Sequence, residues 1–248
     1  MNRNNYHTHT IYCDGKDTPE ELVIKAISEG CSEIGFTGHS FTDIDDPHPF
    51  CMTRESTVEY KSEIKRLKNK YKEKIKIYLG VEQDYYSDES TDDYEYIIGA
   101  VHYVFKDGRF ISIDDTADIQ IDAVETYYNG DFYAFCEDYY ELVGDVFNKT
   151  HCDIIAHFDL ITKFNEGNCL FDTSNPRYIA AADKALNRLL AEDVIFEINY
   201  GAVARGYRTT PYPDDRIIKK IQNAGKRIIY SSDCHNKEKL LFGIPENK

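Results

Sequence analysis

Short apolar runs and longer amphipathic stretches alternate along the whole chain. Runs rich in β-branched and aromatic residues lie at 6–10 (YHTHT), 33–37 (EIGFT), 76–81 (KIYLGV), 96–101 (YIIGAV), 153–156 (DIIA), 194–198 (VIFEI) and 227–231 (RIIYS). Their length and composition predict seven strands. Between them the apolar spacing becomes helical. In DTPEELVIKAISEG, Thr18 is placed to cap, Pro19 to open the helix, Glu21 to complete a capping box and Gly30 to end it. STVEYKSEIKRLKNKYKEK (56–74), NPRYIAAADKALNRLLAED (175–193) and PDDRIIKKIQNAG (213–225) are amphipathic, and the Tyr-rich stretch 118–149 reads as helical with a break near NGD. Strands separated by helices pair in parallel through right-handed crossovers. The expectation is an α/β fold of barrel type, one domain over residues 1–248. The irregular stretch FTDIDDPHPFCMTRES (41–56) after the second strand reads as a candidate lid. Only NKEKLLFGIPENK follows the seventh strand, too little for a full covering helix, so the chain is expected to be truncated there or to close its barrel differently.

Composition narrows the partners. The formal net charge is -15 and no Lys/Arg run forms a basic arm, which argues against nucleic acid as the main partner and requires an anionic substrate to find local positive charge. There is no apolar signal region and no stretch of about 20 apolar residues, so the reading is a cytoplasmic protein with no membrane partner. Seven cysteines are scattered without a CxxC pair, as expected of reduced structural thiols. Cys13 and Cys234 adjoin motif residues, but neighbours along a strand face opposite ways.

The eight histidines change the picture most. Six follow or end a predicted strand: His7 and His9 on the first, His39 on the second, His102 on the fourth, His157 on the fifth and His235 on the seventh. The third strand ends in Glu82, the sixth in Glu197 and Asn199. In a parallel barrel these C-terminal ends converge on one mouth, where barrel enzymes carry their active sites. His7 and His9, two apart, share a face, as do Asp233 and His235, and the first and last strands of a closing barrel are neighbours. With Asp14, Glu82 and Asp233 these six imidazoles predict a metal site for zinc, iron or manganese rather than calcium or magnesium. Three divalent ions against three carboxylates would leave the pocket positive, as an anion needs. His48, in the long loop, and His151, before the fifth strand, fall outside the pattern.

The ordered motifs YHTHTIYCDGKDTPEELV, EIGFTGHS, IYLGVEQDYYS, IIGAVHYV, DIIAHFDLITKFNE, FEINYGAVARGYRTTPYP and IIYSSDCH resemble those of the PHP (polymerase and histidinol phosphatase) family, and within it the monofunctional bacterial histidinol-phosphate phosphatases. The resemblance implies a distorted (β/α)7 barrel of TIM-like kind with three divalent transition-metal ions. His7, His9, Glu82 and Asp233 match the ligands of one; Glu82, bridging, with His102 and His157 match a second; Asp14, His39 and His235 match the third. Many members have His where Asp14 stands and Asp where Gly38 stands. The implied reaction is hydrolysis of a small phosphate monoester, L-histidinol phosphate, in histidine biosynthesis, by a metal-activated water attacking phosphorus in line. Glu82, Asp233 and His235 are then the catalytic positions. Arg205 is the first choice for a phosphate clamp because its planar fork suits phosphate oxygens; Lys163 is a second candidate, and Asn199 a further substrate-side or supporting donor. Asp84, Tyr85 or an acidic residue of the 41–55 loop is expected to meet the substrate's ammonium group. Two other readings stay open: a phosphoesterase acting on another small ester, and a non-catalytic metal-binding PHP module.

Overall fold

The computed structural model describes residues 3–44 and 50–246. Its elements in chain order are α1 (Pro19–Ser28), β1 (Glu33–Phe36), α2 (Arg54–Tyr71), β2 (Lys76–Asp84), β3 (Tyr96–Ala100), β4 (Tyr103–Lys106), β5 (Arg109–Ser112), α3 (Ala117–Tyr127), α4 (Phe132–Val143), α5 (Val146–Thr150), β6 (Ile154–Ile155), α6 (Pro176–Leu190), β7 (Ile195–Asn199), α7 (Gly201–Arg205), α8 (Asp215–Asn223) and β8 (Ile228–Ser231). Six strands form one parallel sheet in the order β1-β2-β3-β6-β7-β8.

The N-terminal segment lies between the two edges of that sheet. Asn5 bridges Ile34 on one side and Thr8 bridges Cys234 on the other, both in parallel, through Gly35 N–H to Asn5 O (2.8 Å) and His9 N–H to Cys234 O (3.0 Å). The first and last predicted strands are therefore neighbours. The segment makes only isolated bridges, however, where a regular strand over 6–10 is expected, and β6 shrinks to two residues.

One element escaped the strand pattern. Asp107 (φ 47°) and Gly108 (φ 81°) turn the chain between β4 and β5 into an antiparallel hairpin, the two-residue turn with both φ positive that Asp-Gly favours. The α1 capping box forms as expected, with Thr18 accepting from Glu21 N–H.

Alternate residues of the curled sheet face inward. Ile98, Ala100, Ile154 and Ala156 form the interior cluster with Tyr96, Ile195 and Ile229 against it, while separate apolar clusters lie under the helices. Tyr96 spans the interior below the mouth: its hydroxyl donates to Tyr6 O (2.6 Å), and a Cβ on Gly80 would come within 2.5 Å of its ring. Glycine at 80 thus makes room for this floor. After β8 the chain folds back so that the carbonyl of buried Leu240 accepts from Asn5 (3.0 Å) and Ser232 (2.9 Å). Among the described residues no helix is long and apolar enough to cross a membrane.

Candidate metal centre

Because β2 alternates in and out, Glu82 points into the barrel, and its carboxylate becomes the hub of the mouth. Glu82 Oε2 lies 3.2 Å from His7 Nε2, 3.5 Å from His9 Nε2 and 2.9 Å from His39 Nδ1. Its Oε1 lies 3.4 Å from His102 Nε2 and 3.0 Å from His157 Nε2. Asp233, on a left-handed backbone (φ 45°), sets Oδ1 3.0 Å from His9 Nε2 and 3.7 Å from His7 Nε2. Asp14 closes the outer side, with Oδ2 3.1 Å from His235 Nε2 and Oδ1 3.7 Å from His39 Nε2.

All nine expected positions are thus brought together. Three groups of them could each hold a metal ion: His9, Asp14, His39 and His235; His7, His9 and Asp233; and His39, Glu82 and His102. The grouping shares His9 and His39 between neighbouring sites and leaves His157 against Glu82, a different division from the one the resemblance implies. The donor chemistry fits metal. His7 Nε2, His9 Nε2, His39 Nδ1 and Glu82 Oε2 are buried without a hydrogen bond, an arrangement that normally requires an unseen partner.

Charge in the metal-free pocket follows from burial and neighbours. Burial drives His9 down to about 3, helped by the imidazoles of His235 and His39. Burial also pulls His7 and His102 down, but carboxylates win: Glu197, Glu82 and Asp233 lift His7, and Glu82 and Asp84 lift His102, well above the usual range. His235 rises against the same burial because of Asp14. Burial opposes ionisation of Glu82, Asp233 and Asp14, yet the facing imidazoles, and Arg205 for Asp233, hold all three below the carboxylate range. Raised histidines contribute stability below their unfolded value of 6.5 and lose it as pH climbs through the folded values; lowered carboxylates contribute above their unfolded values of 3.8 to 4.5 and lose it on acidification. Both contributions are complete only between about pH 4.5 and 6.5. Metal binding requires neutral imidazoles, so metal uptake at pH 7 should release protons, and calorimetric titrations of zinc in two buffers of different ionisation enthalpy should differ accordingly. Identical heats in both buffers would contradict this charge state.

The remaining expected residues divide. Arg205, last residue of α7, donates to Asp233 O (3.1 Å) and Oδ2 (3.3 Å) and lies against His235. Gly201 at the start of that helix permits the approach, since a Cβ there would be 2.5 Å from Asp233 Oδ2. Lys163 is buried rather than solvated: its ammonium meets Asp114 Oδ1 (2.6 Å) and stands over the Tyr207 ring (4.6 Å). Asn199 has the surroundings of a supporting donor, one of its two expected roles. It is fully buried, donates to Glu197 Oε2 (2.9 Å) and accepts from Gly201 N–H (2.8 Å). Asp84 is redirected, because its Oδ2 takes the His102 backbone N–H and ring Nδ1, both at 3.1 Å. Tyr85 turns to Asp145 (3.0 Å). Cys13 Sγ is 3.6 Å from His9 Nδ1, but burial pushes its thiol up to about 12, leaving it neutral. His151 caps α5 on the surface, and His48 lies outside the described residues.

Glu197 emerges as a site residue whose role the sequence did not disclose; the signal was its place, two before Asn199 on an inward face. With Asp84 it raises the carboxylates at the pocket from three to five, all but Asp14 buried, so the expected surplus of positive charge is smaller and Arg205 matters more. Phe50 completes one wall, its ring centroid 4.7 Å from His39 and 5.2 Å from His102.

A parallel barrel with a histidine- and carboxylate-lined mouth able to take several metal ions is the frame of a metallohydrolase. The chain belongs to the PHP domain family, which it matches over residues 5–201. It is 27% identical to a Schizosaccharomyces pombe protein named probable histidinol-phosphatase, covering 92% of this chain and 79% of that one, and 24% identical to the Bacillus subtilis histidinol-phosphatase, covering 95% and 94%. A Listeria monocytogenes crystal structure superposes with TM-score 0.82 at 21% identity over 97% of this chain and 98% of that one. A Lactococcus lactis histidinol phosphate phosphatase, complexed with zinc, L-histidinol and phosphate, superposes with TM-score 0.64 at 19% identity over 95% and 87%. These likenesses place the fold among PHP barrels.

Proposed function

We propose that this chain is a histidinol-phosphatase: a metal-dependent phosphomonoesterase that hydrolyses L-histidinol phosphate to L-histidinol and phosphate. The observation that carries the metal dependence is the set of buried, unpartnered nitrogens of His7, His9 and His39 converging on Glu82. The ester is suggested by the relatives' names. Three divalent transition ions, of zinc, iron or manganese, are the proposed complement, held by His7, His9, Asp14, His39, Glu82, His102, His157, Asp233 and His235. Bound there, such ions would supply Lewis acidity toward phosphoryl oxygens and a water made nucleophilic at neutral pH.

The protein's own groups do the rest. Glu82, facing imidazoles on both oxygens, fixes the spacing of the ligand set. Arg205, with its guanidinium already beside Asp233, is placed to turn its fork to the phosphoryl group. The Asp114–Lys163 pair, near Arg205, adds dipole without net charge. In the second reading, a non-catalytic PHP module, ligand positions would be expected to have decayed, and here all nine carry competent donors. Dialysis against a strong chelator should abolish phosphate release, and zinc, manganese or iron(II) should restore it. Full activity in protein shown by elemental analysis to be metal-free would sink the proposal.

A further inference from the structure

We infer that Glu197, outside the nine-residue set, is the positioning residue that fixes which nitrogen of His7 faces the metals; the inference rests on the metal-centre reading above. Glu197 is buried in the middle of β7. Its Oε1 lies 2.6 Å from His7 Nδ1 and accepts from the Ser231 hydroxyl. Its Oε2 accepts from His157 N–H (3.0 Å) and Asn199 Nδ2 (2.9 Å). Four donors occupy the acceptor sites of the two oxygens, so this carboxylate has no lone pair left for an ion and is not a tenth ligand.

The direction of the contact decides its meaning. A carboxylate on Nδ1 keeps the ring proton on that nitrogen, and the opposite nitrogen, Nε2, is the unpartnered one turned to Glu82 and Asp233. That is the carboxylate–histidine–metal arrangement, in which the outer partner sets tautomer and ring direction. The donors come from four different staves: the N-terminal segment, the end of β6, β7 and β8. His7 has no regular strand to orient it, so the carboxylate substitutes for that support. Asp84 holds His102 in the same sense, with Nδ1 at 3.1 Å and Nε2 left to Glu82.

The test is cobalt(II) binding by the full chain, stripped of metal and titrated with the ion alone, read by visible absorption and elemental analysis. E197A should bind its weakest-held cobalt about 10–100-fold less tightly, with an altered ligand-field spectrum. E197Q keeps an acceptor for His7 Nδ1 but turns an NH2 against His157 N–H and Asn199, and should fall between. D84N should produce a loss of its own, separate from that at His7. Should E197A fail to fold, E197Q decides by the same titration. Wild-type affinity and spectrum in E197Q and in any folded E197A would overturn the role. A wild type that takes up no cobalt would instead overturn the metal reading beneath it.

Discussion

Replacing Glu82 by Ala should abolish phosphate release, by at least about 10³-fold, and leave the purified protein with far less metal than wild type. The expectation follows from how many groups one carboxylate serves. Its two oxygens face five imidazoles, from the N-terminal segment, the loop after β1, the loop after β3 and the end of β6. Without it, His7 and His102 lose a neighbour that holds them protonated in the metal-free chain, and the ligand set would lose the carboxylate whose two oxygens face imidazoles on both sides of the pocket. E82Q separates charge from shape: a near-isosteric amide keeps the packing but not the charge, and should be nearly as inactive. Full metal occupancy with full activity in either variant would refute the hub.

Arg205 is expected to behave differently. R205A should lose about 10²- to 10³-fold in kcat/KM while retaining the metal content of wild type, because Arg205 touches Asp233 and His235 without offering a ligand atom. R205K should recover little, since a point charge cannot reproduce two parallel donors. The removed guanidinium also helps keep Asp233 ionised, so the variant's activity should fall off at a higher pH on the acid side. Loss of metal in step with activity would show that Arg205 merely supports Asp233.

How much of this the sequence disclosed depends on which physical signal each element leaves. Eight of the nine candidate ligands are legible because strand ends are short, period-two and adjacent to chemically unusual residues; the chain order of YHTHT, GHS, VEQD, AVHY, AHFD and SDCH follows the staves around the mouth, while Asp14 sits in the turn beyond the first of them. The closure between first and last staves was legible from the same pairs and is made by the Thr8–Cys234 bridge. The β4–β5 hairpin lies outside the expected strands although KDG is a strong turn signal, because its two arms are only four residues each and follow directly on the strand at 96–101. Asn199, Asp84 and Glu197 show the deeper limit. A polar residue at a strand end announces that it faces the pocket, but whether it meets substrate or orients a ligand depends on partners that are as much as 190 positions away, such as His7 for Glu197. The burial of Lys163, a second clamp candidate from its sequence, is hidden for a similar reason: its partner Asp114 belongs to a loop 49 residues earlier.

The central claim, that this PHP-family chain is a metal-dependent histidinol-phosphatase, is tested most directly by phosphate release across a panel of small phosphomonoesters, with metal content measured on the same preparation. The account predicts that L-histidinol phosphate is hydrolysed far faster than nucleotides, sugar phosphates or phosphotyrosine, in proportion to bound transition metal. Comparable rates across the panel would contradict the substrate assignment, and release that does not track metal would contradict the mechanism.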